Sequence, residues 1–163
     1  MGLFSRKEKV SVDDMAIKMM VTAVDVVGEL KCFNDIDDSR SLVVNMGYFY
    51  GFLKLNLITI TKLDTANDII NKSIAHMESA TKGKMAIDNF GFTVKQIAHK
   101  SVDHMKYAKE NANDVFVGMA TFYILDLQNS NTFDINKLDV AQENMHRLYG
   151  ITSKLTKDIK IVR

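Results

Sequence analysis

The chain has 163 residues, a net charge of +1, 47% hydrophobic and 25% charged residues, no proline and a single cysteine. That balance belongs to a folded globular chain rather than a disordered one, and it offers no overall field to draw nucleic acid or an anionic membrane. One cysteine excludes an internal disulfide and the N-terminus lacks an apolar signal core, so the expected location is cytoplasmic.

At this length one domain burying about two-thirds of the unfolded chain's surface is expected. Average usage would supply about eight prolines. Their absence, with only eight glycines, predicts an all-α bundle of about six helices, because proline is what interrupts helices. Three segments follow from composition: a basic lead over 1–10, a bundle over 11–150 and a basic tail over 151–163.

Taken in order, Ser11 reads as an N-cap followed by Asp13 and Asp14 in a first turn, where carboxylates favour the helix dipole. The first helix should run to about Cys32 with Met15, Met19, Ala23, Val26, Val27 and Leu30 inward. Met20, Val21 and Val24 widen that stripe, which predicts burial on more than one side. The turn Asn34–Ser39 leads into the most apolar stretch of the chain, a second helix expected over 39–62. A third helix starts near Asp64 and ends at Gly83, with Ala66, Ile69, Ile70, Ile74 and Met77 inward.

A fourth, amphipathic helix is expected from about Met85 to Asn111, with Phe90, Val94, Ile97, Ala98, Ser101, Met105 and Ala108 on its inner face. Asn113 should cap a fifth helix over 113–128, and Asp134 a sixth that Gly150 closes. The last residues suggest a further short helix. The two halves also resemble each other. Ile60–Asp68 (ITKLDTAND) matches Ile135–Glu143 (INKLDVAQE), Val12–Ile17 matches Ile87–Phe92 at the same offset, and Tyr50–Asn56 matches Phe122–Gln128 at a slightly shorter one. Candidate repeats over 12–80 and 87–150 follow, with the helices over 39–62 and 113–128 as a central pair and Gly47 and Gly118 at their closest approach.

No catalytic constellation, phosphate loop or paired Cys/His motif stands out, so no cofactor is expected. Glu143 and His146 have the one-turn spacing of a carboxylate-bundle metal site, and the repeat adds Glu29, Asp68 and His104 as candidate ligands. The place of Glu143 and His146 on the wet face of the sixth helix favours a solvated surface instead. His99 and Asp103 read as a surface ion pair and Cys32 as an idle thiol. Leu148–Thr152 has the look of a helix-turn-helix turn, and Lys154, Lys157, Lys160 and Arg163 beyond it are candidate phosphate contacts. Gly47 and Gly51 lie in an apolar run, but Lys54 and several polar residues argue against a membrane span.

The leading expectation is a non-enzymatic helical interaction protein that binds a protein partner or forms a homo-oligomer, with ten methionines suited to adaptable contacts. The alternative is a nucleic-acid-binding or regulatory domain using the basic tail. A metal-dependent carboxylate/histidine bundle enzyme comes third.

Overall fold

A computed structural model describes residues 7–81 and 89–162. Its body is six packed helices, α1 (Val12–Glu29), α2 (Asp38–Leu57), α3 (Leu63–Thr81), α4 (Phe90–Asn111), α5 (Val115–Gln128) and α6 (Leu138–Thr156). Two short strands, β1 (Glu8–Ser11) and β2 (Ile159–Val162), accompany them. The all-α bundle expected from composition is what the chain forms.

Local chemistry sets the helix starts. Ser11 accepts from the Asp14 amide to open α1, Asp37 accepts from Ser39 and Arg40 to open α2, and Asp114 accepts from Phe116 and Val117 to open α5. Each satisfies amide protons that the first turn leaves without intrahelical partners. Asp114 therefore takes the capping role that the sequence assigned to Asn113. Asp134 caps a single 3-10 turn, Ile135–Lys137, which runs straight into α6. Met85 and Gly83, expected at helix ends, lie outside the described residues.

Helix α2 is the centre of the bundle: every residue from Val43 to Leu53 is buried. Tyr48, Phe49, Tyr50 and Phe52 are almost wholly enclosed, and fully burying a large apolar side chain stabilises the fold by about 1.5–3 kcal/mol. Edge-to-face contacts link Tyr48 to Phe52 and to Tyr123 of α5, with ring centroids 6.3 and 5.2 Å apart.

The closest neighbour of α2 is α4, not α5. A methyl group on Gly47 would collide with Ile97, and one on Gly51 with Ser101 and the Ala98 carbonyl. Gly118 instead lies against Ala108 of α4 and Ala112, which caps that helix. The expected Gly47–Gly118 crossing is thus replaced by two successive glycines of α2 seated on α4, where bare backbone lets the axes approach. The two triplets also pack differently, since α1 lies along α3 while α4 and α6, the corresponding pair, barely touch.

Two further expectations change. Val21 and Val24 are 49% and 50% exposed, so α1 is buried on one face only. Gly150 does not close the last helix: α6 runs through it to Thr156, and the residues beyond form β2 rather than another helix. β2 pairs in parallel with β1, Val10 opposite Ile161 and Lys9 opposite Lys160, which joins the two ends of the described chain. Among the described residues no helix is long and apolar enough to cross a membrane.

Candidate functional site

Two recesses stand out, and the first is built on a buried carboxylate. Helix α5 buries Met119, Tyr123 and Leu127 along one stripe, and Asp126 lies on that stripe at 4% exposure. A lone carboxylate there would be costly unless its oxygens were paired. The Tyr48 hydroxyl donates to one of them at 2.8 Å, and the Lys100 ammonium of α4 bonds the other. The Asp126 backbone carbonyl receives the Arg40 guanidinium, with its Nε at 2.9 Å. Three helices are therefore tied through one residue.

His104 completes the cluster. Its Nδ1 lies 3.2 Å from the Tyr48 hydroxyl and 3.7 Å from the Asp126 carboxylate, and its ring stacks on Phe122 with centroids 4.1 Å apart. Burial holds the imidazole below its ordinary pKa of 6.5, against the pull of Asp126. Burial also raises the Tyr48 phenol well above its usual range, an effect Asp126 reinforces, so the hydroxyl remains a donor. Outside these groups opens a polar cleft of about 340 Å³, bordered by Lys100, His104, Phe122, Asn129, Ser130 and Asn131.

A second hydrogen-bonded tyrosine lies beside the first. Tyr123 donates to Asn45 at 2.5 Å, and Asn144 reaches both Tyr123 and the backbone of Lys31. This network uses neutral amides and pins the exit of α1 to α6. Its position in the core makes it structural.

The other recess is apolar. Ile17, Val21 and Val24 stand 46–50% exposed in a row along the outer side of α1. The row ends at Gly28, beside which an added methyl group would meet nothing. There it opens into a groove of about 380 Å³ walled by Val24, Cys32, Leu42, Met46 and Phe90.

The residues singled out by sequence are dispersed over other partners. Glu143 pairs with Lys31 at 2.5 Å, Glu29 pairs with Arg147, Asp68 stands 3.9 Å from Lys72, and His146 is stacked on Phe116. Of the five candidate ligands His104 borders the polar cleft, and Asp68 lines a separate recess of about 300 Å³ with Asp13, Asp64 and Lys72. Among the described residues no group of three or more His, Cys, Asp or Glu is placed to hold a metal. His99 and Asp103 form a loose exposed pair at 3.9 Å, and Cys32 is exposed at the groove.

Leu148–Thr152 is continuous helix, so the helix-turn-helix reading of that turn falls. Lys154 lies in the last turn of α6, Lys157 caps it, and Lys160 lies on β2 opposite Lys9; Arg163 is outside the described residues. Sequence reasoning missed Asp126, Tyr48 and Lys100. The signal was Asp126 itself, one turn from Tyr123 and two from Met119 on an otherwise apolar stripe.

Comparison with protein-family models, curated proteins and solved structures yields no match.

Proposed function

We propose that the protein is a non-catalytic helical interaction module that associates with a second copy of itself through the exposed face of α1. The observation that carries this reading is the row Ile17, Val21, Val24 and Gly28, spaced four, three and four residues apart and ending in the apolar groove. That spacing is the seam of a two-helix coiled coil. Paired antiparallel about a two-fold axis, Val21 faces the second copy's Val24 and Ile17 faces its Gly28, where open space receives a side chain. Lys18 then stands near the second copy's Asp25, so charge as well as shape is self-complementary.

Three half-exposed side chains and one groove make a small interface, and the association belongs to the weak, concentration-dependent class. A cytoplasmic location suits this reading, since the exposed Cys32 thiol at the groove would stay reduced there. Light scattering over a concentration series tests the proposal. The wild type should shift toward dimer, Val21→Glu should remain monomeric with its helical content intact, and Lys18→Asp should weaken the dimer. The double exchange Lys18→Asp with Asp25→Lys should restore it. A wild type that stays monomeric at the highest soluble concentration overturns the reading, as does a dimer indifferent to Val21→Glu.

A further inference from the structure

The polar cleft beside Asp126 has features that self-association does not use. The Tyr48 hydroxyl has one proton, and the geometry commits it to the Asp126 carboxylate at 2.8 Å. Its oxygen can then only accept from His104 Nδ1, 3.2 Å away, so Nδ1 carries the imidazole proton. Nε2 is left as an unprotonated acceptor on a ring held flat against Phe122. Among the described residues no hydrogen bond reaches Nε2, and His104 borders the cleft.

The surroundings narrow the chemistry of an occupant. Lys100 bonds the Asp126 carboxylate and Arg40 its backbone carbonyl, while Asp103 acts on His104 from the outer side of α4, so what the cluster offers an anion is the Lys100 ammonium at the cleft. The Lys100 ammonium has three protons and gives one to Asp126, leaving donors on its 58% exposed side. Asn129, Ser130 and Asn131 add amides and a hydroxyl at the mouth, and Asn129 holds a left-handed φ of 48° that ends α5 there. The volume, about 340 Å³, sits at the small end of ligand sites.

We propose that this cleft binds a small hydroxy acid, whose hydroxyl donates to His104 Nε2 and whose carboxylate takes the remaining protons of Lys100. The carboxylate supplies the acceptor that the free Lys100 protons lack. The hydroxyl supplies the one donor the imidazole lacks. A simple carboxylate meets only the first requirement, and a neutral polyol only the second.

NMR titration of the isotope-labelled full chain tests both halves. Long-range proton–nitrogen spectra of the free protein should show His104 as the Nδ1–H tautomer. Glycolate, malate and gluconate at millimolar concentrations should then give saturable shifts at His104, Phe122 and Asn129–Asn131. Acetate should bind about tenfold more weakly for want of one hydrogen bond, and glycerol should not saturate. Lys100→Met should abolish the hydroxy-acid shifts. Asn131→Ala, on the exposed loop and outside the buried cluster, should weaken them while leaving the folded spectrum intact. An Nε2–H tautomer overturns the proposal. So does the absence of saturable shifts with all three hydroxy acids, or equal affinity for acetate and glycolate.

Discussion

The apolar groove on α1 and the polar cleft at α5 are recesses of similar volume, about 380 and 340 Å³, made in opposite ways. The groove exists because side chains are missing or unopposed: Gly28 has nothing near it, and Val21 and Val24 face outward. Its apolar surface gains free energy only when something covers it. The cleft rests on groups already paired inside the fold, with Asp126 joined to Tyr48, Lys100 and Arg40. A large part of its interaction energy is already committed to holding α2, α4 and α5 together. Substitutions in the groove should therefore alter association and spare the fold, whereas substitutions behind the cleft should reach the fold first.

Asp126→Ala puts that contrast to its hardest test. It leaves the buried Tyr48 hydroxyl without its acceptor and Lys100 without its anion. Breaking a buried pair from one side costs about 3–5 kcal/mol. The lower end applies here, because Lys100 is more than half exposed and can turn to water. Urea denaturation should show that loss. Asp126→Asn keeps the shape and an acceptor for Tyr48 and should cost distinctly less. If Asp126→Ala unfolds at the wild-type urea concentration while Val21→Glu does not, the contrast is inverted.

Glycine gives a finer version of the same comparison. At Gly51 a methyl group would run into the Ala98 carbonyl and the Ser101 side chain. Ala98 is helix backbone and cannot swing aside, so Gly51→Ala should destabilise by about 1–3 kcal/mol through overpacking. Gly28 lies in the last turn of α1 with open space around it. Gly28→Ala should stabilise the monomer by up to about 1 kcal/mol, the helix-propensity difference. The same methyl fills the notch that the proposed pairing gives to Ile17 of a second copy, so it should weaken that association. Opposite signs in denaturation and light scattering would separate the two roles; a tighter dimer would sink the close approach at Gly28.

Much of the scaffold was legible in the sequence because it rests on local chemistry. Ser11 caps α1 as its side chain and position demand, and the inward faces of α3 and α4 follow the helical period. What failed depended on distant residues. Periodicity places Val21 and Val24 near the apolar stripe, but only the positions of α2 and α3 decide that they stay uncovered. Gly47 announces a close approach without naming its partner, and α4 proved to be that partner. β1 and β2 are each four residues long and meet across nearly the whole chain, so neither carries a local sign of the other. Asp126 was visible as a carboxylate on an apolar stripe. Tyr48 and Lys100, which complete its shell, lie on two other helices and have no spacing rule that links them to it.

The smallest expected effect is one of pH, and its sign follows from His104. Burial keeps its folded pKa below the ordinary 6.5; Asp126 raises it, Lys100 lowers it and Asp103 on the outer side of α4 raises it, without cancelling the burial effect. Tyr48 faces the ring from α2 and Phe122 from α5, and neither brings a charge there. In the window immediately below pH 6.5 the unfolded chain therefore takes up a proton at this position that the folded chain resists. The unfolded state binds more protons, so stability rises with pH across that window and is lost as pH falls. Below the folded pKa both states are protonated and the contribution is level. His104→Phe keeps the stack on Phe122 but removes the titration, so its urea midpoint should vary less with pH over that window than the wild type's. An unchanged slope would mean the imidazole is hydrated in the folded protein, and the polar cleft would lose its enclosed wall. Dimer formation should not share the inflection, since α1 contains no histidine.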